Sequence, residues 1–359
     1  MDLVRIITMY NIIFNHYLYF GHVYELFPRY KRQLSLTHCF TDWHNDSFIL
    51  ISGIVGYKTN KYSNLFYLWL TVFFYSVGVH KYILYYEKGY VINVDMDKEY
   101  YPIIFTNYWY FTTYFAMYLF LPVINTGISY LSKYDLRLVI MSTLGVLILW
   151  KDYKNPKDDV FFMSGGNSPL WFIVYYLTGA YIGKYRINYV GIKKYIYCFI
   201  CLFIFVFTSY VYFKAFHNEL YYFKGNRKIE LPIEFKKMLN ERQNSSLKII
   251  QSITVCLFFM QINYNIYIAK FISFFGPLVF GVYLSHSHKL IFHNVISRVF
   301  RNQPSDLSLN SILSFLLNKS FMTLVFCLFI DYLRHLLFTI LRIKKIAFFI
   351  ESKVKEKLS

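Results

Sequence analysis

The chain has 359 residues, of which 56% are hydrophobic, 22% aromatic and only 16% charged. A soluble chain carries about 25% charged residues, and a water-facing domain leaves too many side chains near its surface to hide this much apolar area, so a soluble globular class is excluded. The formal net charge of +18 does not point to nucleic acid either: the Lys and Arg residues lie in short connectors between apolar runs and form no contiguous patch interleaved with aromatics.

Apolar runs recur at the length of about 17–25 residues that a helix needs to cross roughly 30 Å of hydrocarbon. The short alternating segments of a barrel strand do not occur. These runs predict an all-α, polytopic membrane helical bundle of about ten transmembrane helices, at residues 3–20, 40–57, 65–86, 103–124, 136–150, 169–184, 194–213, 247–264, 272–293 and 320–341.

The first run has no small-residue cleavage site behind it and reads as a retained span. It holds Arg5 and His16. Ionisable groups inside a span are costly and are functional candidates by default. Eleven residues at about 100° each return to within roughly 20° of the starting direction and rise about 16 Å. Arg5 and His16 therefore share one helix face, Arg5 at the cytoplasmic edge and His16 near mid-membrane. The plainer roles are a snorkelling anchor for Arg5 and an inter-helix hydrogen bond for His16.

The second run reads HNDSFILISGIVGYK. Ser52-Gly53 is a small pair that lets helix backbones approach closely, and Asp46 lies about two turns earlier. His38, Asp42, His44 and Asp46 cluster at its start, but they fall where the helix end meets water, and no metal is assigned to them. Farther on, Cys198 and Cys201 form a CxxC inside the apolar run IYCFICLFIFVF, without the neighbouring ligands that a zinc or redox site needs.

Between the runs lie two kinds of connector. One is short and basic: Lys58 and Lys61; Lys133 and Arg137; Lys184, Arg186, Lys193 and Lys194; Lys270; and the tail from Arg342 to Lys357. The other is longer and mixed in charge: 21–39, 87–102, 151–168, 214–246 and 294–319. They alternate, so the positive-inside rule puts the basic set and both termini in the cytoplasm, with a plasma (inner) membrane as the expected location. No linker or internal repeat appears, which gives one transmembrane domain, 1–345, and a basic cytoplasmic tail, 346–359.

Taken in order, these features resemble the acyltransferase 3 family. Arg5 and His16 eleven residues apart in a first span, ISG closing the second, and Lys58 after it match its opening pattern. YWYFTTYFAMYLFLPVIN is similar to its W…Y…P span at Trp109, Tyr118, Pro122 and Asn125. WFIVYYLTGAYIGKY resembles a later glycine-containing span, and FGPLVFGVYLSHSHKLI its FGVYLIH segment, with His286 at the His position. Many members carry a Glu five residues after the Trp of the fourth span; here that position is Tyr114.

The resemblance implies a membrane O-acyltransferase that moves an acyl group, usually acetyl, from a cytosolic thioester to a sugar hydroxyl. It implies no bound cofactor, with acetyl-CoA or another acyl-CoA as donor substrate, a saccharide acceptor and the lipid bilayer as surroundings. Donor phosphates need cations, and Arg5, Lys58 and Lys61 are expected at the cytoplasmic face. Attack by a hydroxyl needs a base that titrates near neutrality, and His16 fits, as base or as acyl carrier. Asp46, Ser52, Gly53, Trp109, Tyr118, Asn125 and His286 are candidates for acceptor binding or support. A glycan flippase or polymerase, or another polytopic transporter, is the alternative class.

Topology is testable directly. A reporter fused after Leu358 should be cytoplasmic and one inserted in the 214–246 loop external; both on one side would remove the ten-span arrangement.

Overall fold

The structure, a computed structural model, describes residues 1–59, 62–86, 96–105, 108–153, 161–222, 245–300, 303–304 and 306–358. Lys61 lies outside the described residues. Within them the chain is helical, with no strand.

The main helices are α1 (Asp2–Phe20), α2 (Lys31–Thr41), α3 (His44–Gly56), α4 (Tyr62–Tyr86), α5 (Trp109–Leu119), α6 (Leu121–Tyr130), α7 (Lys133–Tyr153), α8 (Pro169–Lys184), α9 (Ile192–Tyr222), α10 (Ser246–Met260), α11 (Ile266–Phe275), α12 (Val279–His286), α13 (Leu309–Ile340) and α14 (Ile343–Leu358). Several boundaries follow from local chemistry. Ser168 caps α8 by accepting the Trp171 N–H at 3.2 Å, with Pro169 at the first helical position. Ser308 caps α13 in the same way through the Ser311 N–H. Pro122 cannot donate a backbone hydrogen bond and crowds the preceding turn, so the expected span 103–124 is broken into α5 and α6, bent by 57°.

Three helical stretches are long and apolar enough to cross a membrane: Ile192–Lys214, Ile266–His286 and Leu309–Ile340. The bent pair α5–α6 makes a fourth if it is one span. The chain is thus a polytopic helical protein, but these criteria give three or four spans among the described residues where the sequence predicts ten. The shortfall has two physical causes. Helices α3, α8 and α10 have 13, 16 and 15 residues, fewer than the approximately 20 that a spanning helix uses. Helices α1 and α4 are long enough, but they interleave Asn, His and many Tyr with their apolar residues, and α7 carries charges near both ends. The expected connectors 21–39 and 294–319 also hold helix: α2 in the first and the start of α13 in the second.

The most extensive helix contact joins α3 and α8. A Cβ at Gly53 would overlap the Tyr176 carbonyl oxygen, one at Gly179 the Leu50 carbonyl oxygen, and one at Gly183 the Ile54 carbonyl oxygen. Three glycines thus let two backbones touch along the crossing. On the other side of α3 runs α1, which also meets α12 and α13; the Tyr17 and Thr323 hydroxyls are hydrogen bonded at 2.7 Å. On α13, Asp331 and Arg334 form a buried bidentate pair at 2.7 and 2.8 Å, to which Tyr75 and Tyr67 of α4 add hydrogen bonds. Gly281 of α12 packs against Asp331, leaving no room for a Cβ.

The crossing predicts opposite outcomes for two glycine substitutions. Gly179→Ala should lower thermal stability in detergent by about 1–3 kcal/mol or more through overpacking. Gly145→Ala on α7, where a Cβ would meet nothing within 4 Å, should be neutral or stabilise by about 0.5–1 kcal/mol. Equal melting temperatures for the two variants would remove the close-contact interpretation.

Candidate active site

Arg5, Met9 and Ile12 line up along one face of α1 and form one wall of a cavity of about 250 Å³. Asn45, Phe48 and Ser52 of α3 form the second wall; Tyr110, Phe111 and Tyr114 of α5 the third. The fourth is Gly276 and Pro277 of the turn between α11 and α12, with Val279, Phe280 and Tyr283 of α12. The walls are mostly aromatic and aliphatic, with polar groups at a few points, the usual make-up of a small-molecule site.

Arg5 marks one end. Its Nη1 donates to Asp2 Oδ1 at 2.6 Å, and its side chain is 27% exposed. Tyr114, which stands where many acyltransferase 3 relatives were expected to carry Glu, lies beside Ser52 and Arg5 at this end.

His16 lies one turn past Ile12, at the other end of the same stripe. Its ring centroid is 5.1 Å from that of His286, 4.8 Å from Phe292 and 5.6 Å from Phe20. Phe20 and Phe292 are themselves stacked at 4.1 Å. The His16 Nδ1 is buried with no hydrogen-bond partner, while the residue as a whole is only half-buried, so the open edge of the ring is the Nε2 side. His286 is different: it is fully buried, its Nδ1 lies 2.6 Å from the Val282 carbonyl and its Nε2 3.2 Å from the Ser287 hydroxyl. The carbonyl can only accept, so His286 Nδ1 carries the proton and Nε2 accepts. Two histidines distant in sequence thus face each other, one tied down and one not.

Behind the cavity, Asp42 holds a buried network. Lys248 Nζ of α10 lies 2.5 Å from Asp42 Oδ2, the Tyr212 hydroxyl of α9 donates to the same oxygen at 2.8 Å, and His38 Nε2 is 3.4 Å away. His38 Nδ1 meets Asn15 Oδ1 of α1 at 3.1 Å. A second network lies beyond His286, centred on Glu99 in the connector between membrane runs. Glu99 Oε2 accepts from the Ser76 hydroxyl at 2.5 Å and lies 3.1 Å from His288 Nε2. Burial pushes the Glu99 carboxyl up, but the hydrogen bonds and charge of His288, with Ser76 and His80, outweigh it and hold the group below its ordinary range.

The other sequence candidates are dispersed. Ser52 lines the cavity, whereas Gly53 serves the α3–α8 crossing. Asp46 is buried next to Trp171 and Tyr175. Asn125 is structural: its Nδ2 donates to the Thr59 carbonyl at 3.2 Å and its Oδ1 accepts from the Tyr176 hydroxyl at 3.0 Å. Tyr118 is buried beside Tyr114, and Trp109 is 37% exposed at the start of α5. Lys58 is exposed, with Nζ 5.5 Å from the Tyr57 ring centroid. Sequence reasoning missed Asp2 as the partner of Arg5, the Asp42–Lys248 pair, and Tyr110, Trp171 and Tyr175. A Lys near the start of an expected span was the available signal for Lys248.

A family model described as an acyltransferase domain matches residues 1–332. The chain belongs to the acyltransferase 3 family. No curated protein and no solved structure matches significantly. The acyltransferase 3 match takes in α1 to α12 and most of α13, and so every wall of the cavity and both histidines. The chain is accordingly an acyltransferase-family protein with apolar, membrane-span-like helices.

Proposed function

We propose that this acyltransferase 3 protein transfers an acetyl group from cytosolic acetyl-CoA to a hydroxyl of a cell-surface or lipid-linked saccharide. It would do so in the plasma (inner) membrane, with both termini cytoplasmic. The observation that carries the reading is a guanidinium lining a cavity and, one turn beyond the cavity residue Ile12, a half-buried imidazole on the same stripe of α1. Their separation along the helix, about 16 Å, is comparable to the reach of an extended pantetheine arm. Arg5 would hold a donor phosphate. It keeps donors to spare after pairing with Asp2, because a guanidinium has five N–H groups. Lys58 and Lys61 would add charge at the same face.

The thioester then lies near His16. The acceptor oxygen attacks the thioester carbonyl as His16 Nε2 takes the hydroxyl proton; the C–O bond forms and the C–S bond breaks. The CoA thiolate leaves and recovers that proton from the imidazolium, so the products are an ester and a free thiol. His286 would sit against the His16 ring, its own protonation set by the Val282 carbonyl, and the stacked Phe20–Phe292 pair would limit water at the base. The tail 346–359 takes no part in this chemistry.

Two substitutions test the roles. His16→Gln keeps polarity and similar bulk but cannot take a proton near neutral pH. In protein that inserts normally it should cut acetyl transfer by about 10²–10⁴, read as loss of acetyl from the glycan by mass spectrometry; substantial acetylation by this variant would overturn the mechanism. Arg5→Ala should raise the KM for acetyl-CoA by about tenfold or more, the worth of a charged hydrogen bond. An unmoved donor KM would leave Arg5 as an orientation anchor.

A further inference from the structure

The cavity beside Arg5 is small for the donor proposed above. It measures about 250 Å³, below the range of about 300–1,000 Å³ usual for ligand pockets, and an acyl-CoA carries a bulky nucleotide beyond its pantetheine arm. A second cavity, of about 380 Å³, lies where the turn between α8 and α9 meets the end of α10. Its walls come from two short segments, 186–195 and 260–263.

The turn is braced from α10. Buried Gln261 accepts the Tyr189 N–H at 3.2 Å and donates to the Ile187 carbonyl at 3.0 Å, and Arg186 Nη2 donates to the Met260 carbonyl at 2.6 Å. Gly191 reverses the chain at φ +60°, where a side chain is disfavoured, and Lys194 and Tyr195 of α9 thereby reach the same cavity.

The cavity is cationic. Neither segment contains an Asp or Glu, and among the described residues Lys194 has no ion-pair partner. Arg186 spends one of its five N–H groups on Met260 and keeps the rest. A guanidinium and an ammonium uncompensated in one concave site complement a phosphate. Beside them stand two rings: Tyr189, packed on Tyr197 with centroids 4.7 Å apart, and Tyr195, 74% exposed. The Asn188 and Asn263 side chains add amide donors and acceptors. Cations flanked by aromatic faces suit a phosphorylated purine nucleoside, whose base stacks on such rings.

Both cavities lie near the start of α1. The Met1 amino group is within electrostatic range of Arg5 and of Arg186. Asp2, the partner of Arg5, packs against Gly276 in the wall of the first cavity. We propose that the Arg186–Lys194 cavity is the donor's nucleotide subsite, with Arg186 and Lys194 on the ribose phosphate and Tyr189 and Tyr195 on the adenine. The assignment rests on the acyl-CoA donor proposed above and divides that donor in two. Arg5 meets the pyrophosphate, and the pantetheine arm runs from there toward His16.

A lipid headgroup would offer a phosphate without the base, so the test separates the two. It uses the full chain in phosphatidylcholine nanodiscs, and its first readout needs no turnover: binding of adenosine 3′,5′-bisphosphate. Lys194→Gln should weaken that binding by about tenfold, the worth of a charged hydrogen bond, and Lys194→Arg should restore it. Tyr195→Ala, at an exposed position, should weaken it by about fivefold or more through lost stacking. In transfer assays Lys194→Gln should raise the KM for acetyl-CoA by about tenfold and leave that for acetyl-3′-dephospho-CoA unmoved. A structural role for Lys194 would instead raise both KM values together and overturn the subsite. Binding of the bisphosphate that is absent, or indifferent to Lys194 and Tyr195, would also overturn it, while His16-dependent transfer in the same discs would leave the acetyl-transfer function standing. Glycerol 3-phosphate bound as tightly as the bisphosphate would overturn the nucleotide in favour of a lipid headgroup. Lys194-dependent bisphosphate binding without any His16-dependent transfer would overturn the acetyl-transfer function and keep the nucleotide site.

Discussion

The contact between α3 and α8 sets most of the site. With glycine at 53, 179 and 183, the two backbones meet without side chains between them, and neither helix can slide or rotate without a clash. Successive residues on a helix point about 100° apart. Once Gly53 faces α8, its neighbour Ser52 is turned toward the cavity. Two turns earlier Asp46 faces α8 again and meets Trp171 and Tyr175, while Asn45 faces the cavity. One steric constraint therefore fixes both a cavity wall and the buried contact of Asp46 with α8.

Charge inside the bundle is handled by pairing. Asp42 has Lys248, Asp331 has Arg334, and Arg5 has Asp2. Removing one member of a buried pair strands the other at about 3–5 kcal/mol. The first two pairs thus tie the turn between α2 and α3 to α10 and fix α13 against α4 and α12. His16 departs from this pattern. Its neighbours are rings, its buried nitrogen has no partner, and its other edge is open. A buried nitrogen without a partner beside an open ring edge sets His16 apart from these paired charges.

The helical class, the shared face of Arg5 and His16, and the interest of His286 were legible in the sequence because each depends on composition or on local spacing. The expected span 169–184 coincides with α8, whose Ser168-Pro169 start is a local signal. Other features depend on what lies across the bundle. Lys248 and Asp42 are 206 positions apart, and nothing near either one names its partner. Hydropathy alone could not divide Ser52 from Gly53, since adjacent residues on one apolar helix serve different neighbours. Nor could it show that α3 ends at 13 residues, because the apolar run 40–57 continues across the turn at 42–43 that separates α2 from α3.

The chain order of the two facing histidines bears on how the molecule is made. His16 leaves the ribosome in the first helix, yet its facing ring, His286, and the α13 residue that holds Tyr17 come 270 or more residues later. Helix α1 is also too polar to be a strong membrane segment alone, with Asn11, Asn15 and His16 in its second half. During synthesis it must wait for helices not yet translated before those groups are covered. The His16–His286 contact is therefore among the last to form, and a nascent chain that has not yet delivered α12 has no assembled site.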